Sequence, residues 1–371
     1  MVDITTQVFG KNFKNPVIPA AGPNVGSGRL VRKAAEGGAG GLLTKTISVV
    51  AAPVPHPNMV RFGKENLLNT ELWSELEPGE WFGREYDIAI TAAKEYQLPL
   101  IGSIGYNAEE LVELGPKLEK KGFDLIEFSI HYLDAQQLIN TARSLRNVVG
   151  IPIIAKLSPH AGDLGEIARL LDPYVDGFAC VNSFGPTLLI DIEHASSPLG
   201  SKNGYGWLSG PALKPLAMRS VFEVARQTDK PVIGVGGVTR GEDVIEYLMA
   251  GASLVGVCTA AVLNGAHIYG KIAAEAGVWL EKHGFSDISE IKGLYLEKYR
   301  NGQSVVTTIE KTAVVDESRC KACSLCEKVC QYDALHAPQK TIARVNENAC
   351  VSCGLCVSVC PFGALELQVR S

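Results

Sequence analysis

The sequence predicts an α/β protein, a (β/α)8 barrel followed by a small C-terminal α+β domain. Three observations carry that expectation. Eight short apolar runs recur along the chain, each followed by a helix-like stretch; the 371 residues exceed one typical core; and eight of the ten cysteines lie from Cys320 onward.

In chain order the runs are "PVIPAAG" (16–22), "GLLTKTI" (41–47), "PLIGSIG" (99–105), "LIEFSIH" (125–131), "PIIAKLS" (152–158), "GFACVNS" (177–183), "PVIGVGG" (231–237) and "LVGVCTA" (254–260). Segments such as "RLVRKAAEGG" and "EELVELGPKLEKKG" lie between them, with apolar residues at helical spacing. Eightfold strand–helix alternation implies a parallel sheet, which closes naturally as a barrel. An open doubly wound sheet shows the same alternation, and periodicity does not separate the two.

Each run ends on a polar or small residue: Lys45, Ser103, His131, Lys156, Asn182, Gly236, Thr259. One lysine at a strand end is ordinarily only solvated. Seven such ends on one rim point to the face where barrel active sites are built. The connections 48–84 and 184–212 are long enough to be lids or binding loops on that face.

Composition excludes several classes. Hydrophobic residues make up 46% and charged residues 20%, an ordinary globular mixture. A net charge of -5 with no basic stripe argues against nucleic-acid binding. The longest apolar stretch, "ASLVGVCTAAVL", is too short to span a bilayer, and "MVDITTQVFGKNFKN" lacks the pattern of a signal peptide. The expectation is a soluble cytoplasmic protein, a homo-oligomer, whose clustered cysteines bind metal.

Gly236 and Gly237 stand at a strand end before a helix, where backbone N–H groups can approach a phosphate and the helix dipole favours an anion. Cys258 and Thr259 offer a second such turn. The signal fits a flavin mononucleotide or a sugar phosphate equally. "GYGWLSG" (204–210) nearly matches a dinucleotide motif, but Ser209 replaces its third glycine and no strand run precedes it. Unaided NAD(P)H oxidation is therefore not expected.

Cys320, Cys323, Cys326 and Cys330 follow C-x2-C-x2-C-x3-C, and so do Cys350, Cys353, Cys356 and Cys360. In this bacterial ferredoxin spacing the fourth cysteine of each run ligates the other cluster. Cys320, Cys323, Cys326 and Cys360 would hold one [4Fe–4S], and Cys350, Cys353, Cys356 and Cys330 the second. Pro361 follows the last cysteine as expected, whereas Gln331 replaces the proline of the first run. Zinc is the alternative, but its sites use two separated pairs of ligands. The expected organisation is a barrel over 1–305, a linker over 306–314 and a ferredoxin-like domain over 315–371.

"NPVIPAAG", "TKTI", "AKLSP", "VNSFGPTLLIDIE", "GWLSGPALKPLAMRSV" and "IGVGGV" together resemble the flavin-binding barrel of the dihydroorotate dehydrogenase family. "VCTA" with the paired cluster domain resembles its dihydropyrimidine dehydrogenase branch. The resemblance implies FMN. It sets Ala20, Ala21 and Gly22 along the ring system, with Lys45, Thr46, Ser103, Lys156 and Asn182 among the cofactor contacts. Ser209, Gly210, Gly236, Gly237, Cys258 and Thr259 would surround the phosphate. Asn69, Asn182 and Ser183 match positions that touch substrate. A lysine beside the flavin, Lys45 or Lys156, would stabilise charge developing at the ring's N1/O2 edge.

The chain departs from the family where the acid/base residue lies. The family reads Asn-x-Ser-Cys-Pro-Asn there; this chain reads "SIHYLD", residues 129–134. Tyr132 takes the base position, and Ser129 and Asp134 take the amide positions. Alternation sets Glu127, Ser129 and His131 on one face. The proton-transfer group is therefore Tyr132 or His131, unless His131 only packs at the rim. Cys180 and Cys258 read as small buried hydrophobes rather than nucleophiles.

Clusters carry one electron at a time, substrate bonds exchange two, and FMN handles both. The expected function is an FMN- and iron–sulfur-dependent oxidoreductase acting on an activated C=C or C–C bond, as in a cyclic amide. Its redox partner would be a ferredoxin or an NAD(P)H-oxidising flavoprotein subunit. The alternatives are a true dihydroorotate or dihydropyrimidine dehydrogenase with an unusual base, an electron-transfer subunit, and a sugar-phosphate lyase.

Overall fold

A computed structural model describes residues 2–129, 135–303, 311–338 and 340–369. The chain divides into two compact units, Met1–Gln303 and Ser304–Ser371.

The first unit is a (β/α)8 barrel. Its strands are β1 (Val17–Pro19), β2 (Leu42–Leu43), β3 (Leu100–Ile104), β4 (Leu125–Ser129), β5 (Ile153–Leu157), β6 (Gly177–Cys180), β7 (Val232–Val235) and β8 (Leu254–Val257). All eight form one sheet in chain order, and β8 returns to pair with β1. Every pairing is parallel. Between β1 and β2 the sheet is bridged by Gly40 N–H donating to the Val17 carbonyl at 2.8 Å. The closed order excludes the open sheet, and each strand lies inside one of the apolar runs.

Strand periodicity sorts the side chains. Val17, Leu42, Leu100, Ile126, Ile153, Phe178, Val232 and Val255 are buried in the core shared with the helices. Their neighbours Ile18, Leu43, Ile101, Leu125, Ile154, Ala179, Ile233 and Leu254 form a second cluster, one residue from each strand. Successive residues of a strand point to opposite faces, so this cluster fills the barrel interior. A hairpin of Thr6–Val8 and Lys11–Phe13 adds Val8 and Phe13 to it. Two residues further along, the inward positions become Ala20, Lys45, Ser103, Glu127, Lys156, Val181, Val235 and Gly256. The chemistry changes from apolar to mixed within one layer.

Helix ends follow local signals. Ser27 Oγ accepts from Leu30 N–H at 3.3 Å before Gly28–Glu36, and Asn107 caps Ala108–Lys121, which stops at Gly122 with φ +99°. The two long connections are not irregular. Met59–Phe62 and Asn66–Asn69 join Phe184–Leu188 and Tyr205–Ser209 in a four-stranded antiparallel sheet.

In the second unit, Lys311–Val315 pairs with Leu365–Val369 and Leu335–His336 with Arg344–Val345. Residues 311–314, expected as linker, are thus part of the folded unit. The helices Leu325–Val329 and Leu355–Val359 are related by a 30-residue internal repeat that also relates the two cysteine runs. Among the described residues no helix is long and apolar enough to cross a membrane.

Candidate active site

The C-terminal ends of the barrel strands surround a cavity of about 390 Å³. On its wall stand Ala20, Ala21 and Gly22 from the end of β1, and Lys45 and Thr46 from the end of β2. Lys156 from β5, Asn182 and Ser183 after β6, and Asn69 and Ser129 join them. Ser209, Gly210, Gly236, Gly237, Cys258 and Thr259 line the remaining side. His131, Tyr132 and Asp134 lie outside the described residues.

Ser103 is the exception among the expected contacts. It is fully buried and stands behind the wall, where its hydroxyl meets Thr46 Oγ1 at 2.8 Å and donates to Glu127 Oε1 at 3.3 Å. It shares a layer with Lys156, but its side chain is too short to reach the cavity.

The two lysines are buried, each opposite a carboxylate. Lys45 Nζ lies 2.5 Å from Glu71 Oε2, and Asn58 Nδ2 donates to the other Glu71 oxygen at 2.6 Å. Lys156 Nζ lies 3.8 Å from Glu127 Oε1, an ion pair without a hydrogen bond. Glu127 is 2% exposed, and burial raises its pKa against the opposing influences of Lys156 and the Ser103 hydroxyl.

The amides are partly engaged within the protein. Asn69 Nδ2 donates to the Trp207 carbonyl at 3.1 Å, while its Oδ1 accepts from Glu71 N–H at 3.2 Å. Asn182 Nδ2 donates to Ser129 Oγ at 3.1 Å, and its Oδ1 accepts from Ser183 N–H at 2.8 Å. Each amide therefore holds its loop in place as well as facing the cavity.

At the glycine turn φ is +138° for Gly236 and +71° for Gly237, a region that side chains avoid. A Cβ at Gly237 would stand 2.7 Å from Lys214 Cβ and 2.9 Å from the Gly210 carbonyl. At the entry to the following helix, Gly241–Met249, backbone donors are already used, and Gly241 N–H itself donates to Glu275 Oε2 at 2.9 Å. Asp243 accepts from Thr239 N–H at 2.7 Å and Arg240 N–H at 3.1 Å. The turn itself, with Ser209 and Thr259 joined hydroxyl to hydroxyl at 2.8 Å, is left to meet an anion. Cys258 lines the cavity and also packs against the apolar barrel interior. Its thiol donates to Asn24 Oδ1 at 3.0 Å, and burial raises its pKa.

These features fit a flavin mononucleotide. The cavity is lined by small residues at the end of β1, by two ammonium groups, and by a glycine turn with hydroxyls suited to a phosphate. Sequence reasoning missed Glu71, Trp73, Tyr106 and Trp207, which also line the cavity. The Trp73 and Tyr106 rings meet edge to face at 4.7 Å, and burial pushes the Tyr106 phenol up to about 12. All four belong to the long connections or follow β3, where no strand-end pattern marks them.

In the second unit, Cys320, Cys323, Cys326 and Cys360 line one cavity with Val315, Leu325, Ala337, Ala343 and Leu365. The fourth cysteine of the second run thus faces the first three of the first. Cys330 Sγ and Cys360 Sγ accept from Ala334 and Ala364 N–H, both at 3.4 Å. None of the ten cysteines forms a disulfide. Among the described residues no three His, Cys, Asp or Glu side chains converge on a point where a single metal ion would sit. Four thiols spread around an apolar cavity suit a cubane, in which each takes its own iron.

Residues 131–280 match the family model for dihydroorotate dehydrogenase, and residues 313–367 match that for a 4Fe-4S dicluster domain. The chain is 34% identical to the dihydroorotate dehydrogenase B (NAD(+)) catalytic subunit of Thermoplasma volcanium, over 80% of its own length and 100% of the relative's. The corresponding subunit of Pyrococcus furiosus is 33% identical, over 79% and 99%. That of Methanothermobacter thermautotrophicus is 31% identical, over 78% and 98%. About a fifth of this chain lies outside each of these alignments.

Proposed function

The chain belongs to the dihydroorotate dehydrogenase family, flavin-dependent oxidoreductases acting on CH–CH bonds, and from that premise we propose that it moves electrons between a redox partner and the C=C or C–C bond of a small cyclic amide. The barrel would hold FMN and the second unit two [4Fe–4S] clusters, which would supply the electron-transfer chemistry. One observation carries the reading: the residues expected to hold FMN meet around a single cavity at the strand ends, Ser103 alone standing behind its wall.

FMN, when bound, supplies both hydride exchange with carbon and single-electron exchange with iron–sulfur centres. The protein supplies the rest. Ala20, Ala21 and Gly22 leave room for the ring system, and the Gly236–Gly237 turn with Ser209, Gly210, Cys258 and Thr259 holds the phosphate. Lys45 and Lys156 present fixed positive charge to the ring from sites that water scarcely reaches. Asn69, Asn182 and Ser183 orient the substrate, with Ser129 and Asp134 in place of family amides. His131 or Tyr132 moves the proton. The cysteines divide as Cys320, Cys323, Cys326 and Cys360 for one cluster, and Cys350, Cys353, Cys356 and Cys330 for the other.

The relatives are named catalytic subunits of an NAD(+) enzyme, which supports a separate electron partner, a ferredoxin or an NAD(P)H-oxidising flavoprotein. Their name also favours a second reading, dihydroorotate itself as substrate. Anaerobic purification followed by assay of FMN and iron tests the cofactors. Reoxidation of the dithionite-reduced flavin by unsaturated cyclic amides and acids, orotate and uracil among them, tests the chemistry. A preparation without flavin and iron, or a flavin that no such compound reoxidises, would end the proposal.

A further inference from the structure

Glu127 has no part in that mechanism, yet its position is unusual. A carboxyl 2% exposed within a barrel needs strong partners, because transfer of its charge out of water is costly. Its partners are weak. Lys156 stands 3.8 Å away, beyond hydrogen-bonding distance, and Ser103 donates at a long 3.3 Å. Burial with such partners favours the protonated form more than it would for an exposed carboxyl.

It is also connected. From Glu127 Oε1 the path runs 3.3 Å to Ser103 Oγ, then 2.8 Å to Thr46 Oγ1, which lines the cavity. Either hydroxyl of the Ser103–Thr46 pair can be the donor. With Glu127 ionised, Thr46 donates to Ser103 and Ser103 to the carboxylate, so Thr46 turns a lone pair toward the cavity. With Glu127 protonated the order reverses, and Thr46 turns its O–H toward the cavity. The buried proton sets whether the wall offers an acceptor or a donor.

We propose that Glu127 is a proton store coupled to the charge of the redox group in the cavity, reached through Ser103 and Thr46 and biased by Lys156. It is a positioning residue, and the proposal rests on the FMN reading above. When the bound group gains negative charge, the carboxylate below is disfavoured by like-charge repulsion. One proton then enters from solvent at Thr46. Each hydroxyl takes a proton on one side and releases its own on the other, and the last O–H bond forms at Glu127. No electron moves along this path, and reoxidation reverses it. Lys156, from β5, is the charged group that faces Glu127 among the described residues; β3 contributes only the neutral Ser103.

The test uses the full-length chain loaded with FMN, its visible spectrum first showing that flavin is bound. Redox-induced infrared difference spectroscopy then follows the C=O band of a protonated carboxyl, alongside protons taken up per flavin reduced. Wild type should gain that band on reduction and take up one proton more than Glu127→Gln, which lacks the band. Ser103→Ala keeps the carboxyl but cuts the path, so its band should appear more slowly and with a larger solvent deuterium effect. Ser103→Ala also serves as the test if Glu127→Gln does not fold. Equal proton uptake in wild type and Glu127→Gln, or a band in Ser103→Ala that appears as fast as in wild type, overturns the proposal. A chain that binds no flavin overturns the FMN reading instead.

Discussion

Replacing Lys156 by Met removes the charge opposite Glu127 while keeping a side chain of similar length, and its cost should depend on pH. Breaking a buried pair by removing one partner ordinarily costs about 3–5 kcal/mol, because the remaining charge is stranded. Here the stranded carboxylate can escape by taking a proton. Starting from an ordinary value of 4.5, that escape costs about 1.4 kcal/mol per pH unit above 4.5. The ceiling on the penalty is therefore about 3.5 kcal/mol at pH 7 and below about 1 kcal/mol at pH 5. The sign follows from the raised pKa of Glu127. A carboxyl that holds its proton more tightly folded than unfolded stabilises at low pH, and that stability is lost as pH rises through the folded pKa. Without Lys156 the folded pKa rises further and the sensitive window widens upward. All four tryptophans, Trp73, Trp81, Trp207 and Trp279, lie in the barrel unit, so their fluorescence in urea reports barrel unfolding alone. Lys156→Met should lose more stability at pH 7.5 than at pH 5, and adding Glu127→Gln should restore most of the loss and flatten its pH dependence. An equal loss at both pH values, or a double variant as weak as the single, would refute the reasoning.

Gly237→Ala forces a side chain to φ +71°, at about 1–2 kcal/mol before its close contacts with Lys214 and Gly210 are relieved. It should weaken FMN binding at least tenfold in a fluorescence titration. Cys360→Ser removes a ligand facing Cys320, Cys323 and Cys326, and should lower bound iron from about eight atoms per chain toward about four, read by iron assay and EPR. Tyr132→Phe or His131→Ala, whichever carries the proton, should lower kcat about 100-fold or more with flavin content unchanged. If neither slows turnover, the assignment to these two residues is wrong.

The barrel was readable because each strand starts in a short apolar run and is bounded by turn residues, a pattern that local sequence encodes. The strand-end residues Lys45, Lys156, Asn182 and Gly236 were readable for the same reason: once a strand is placed, its end is placed. Ser103 exposes the limit of that rule, because the same layer that lets a lysine reach the cavity leaves a serine behind it. Glu71 and Trp73 were not readable at all. They follow Asn66–Asn69, whose pairing with Tyr205–Ser209 joins residues 138 positions apart, as the Asn69–Trp207 hydrogen bond does. Such pairing leaves no periodic trace in either segment. In the cysteine domain, spacing carried nearly everything, since four ligands around one cluster need fixed separations. The strand Lys311–Val315 escaped notice because its partner, Leu365–Val369, lies beyond both cysteine runs.

Along four strands one step of two residues separates fold from chemistry: Leu43 to Lys45, Ile101 to Ser103, Leu125 to Glu127, Ile154 to Lys156. The lower member of each pair belongs to the apolar interior, where branched side chains interlock and a truncation leaves a void. The upper member is polar and buried, although apolar residues of similar volume there would serve stability as well or better. The stabilising layer below therefore carries the cost of a charged layer above it. Each ammonium of that layer is matched by a carboxylate, Lys156 by Glu127 within the layer and Lys45 by Glu71 of the long connection, so the wall can respond to a change of charge in the cavity by shifting one proton. A wall with two uncompensated lysines would hold an anion more tightly but would have nothing to shift. The weak geometry of the Lys156–Glu127 pair is, on this view, what leaves Glu127 free to change state, whereas the short Lys45–Glu71 contact fixes its partner in place.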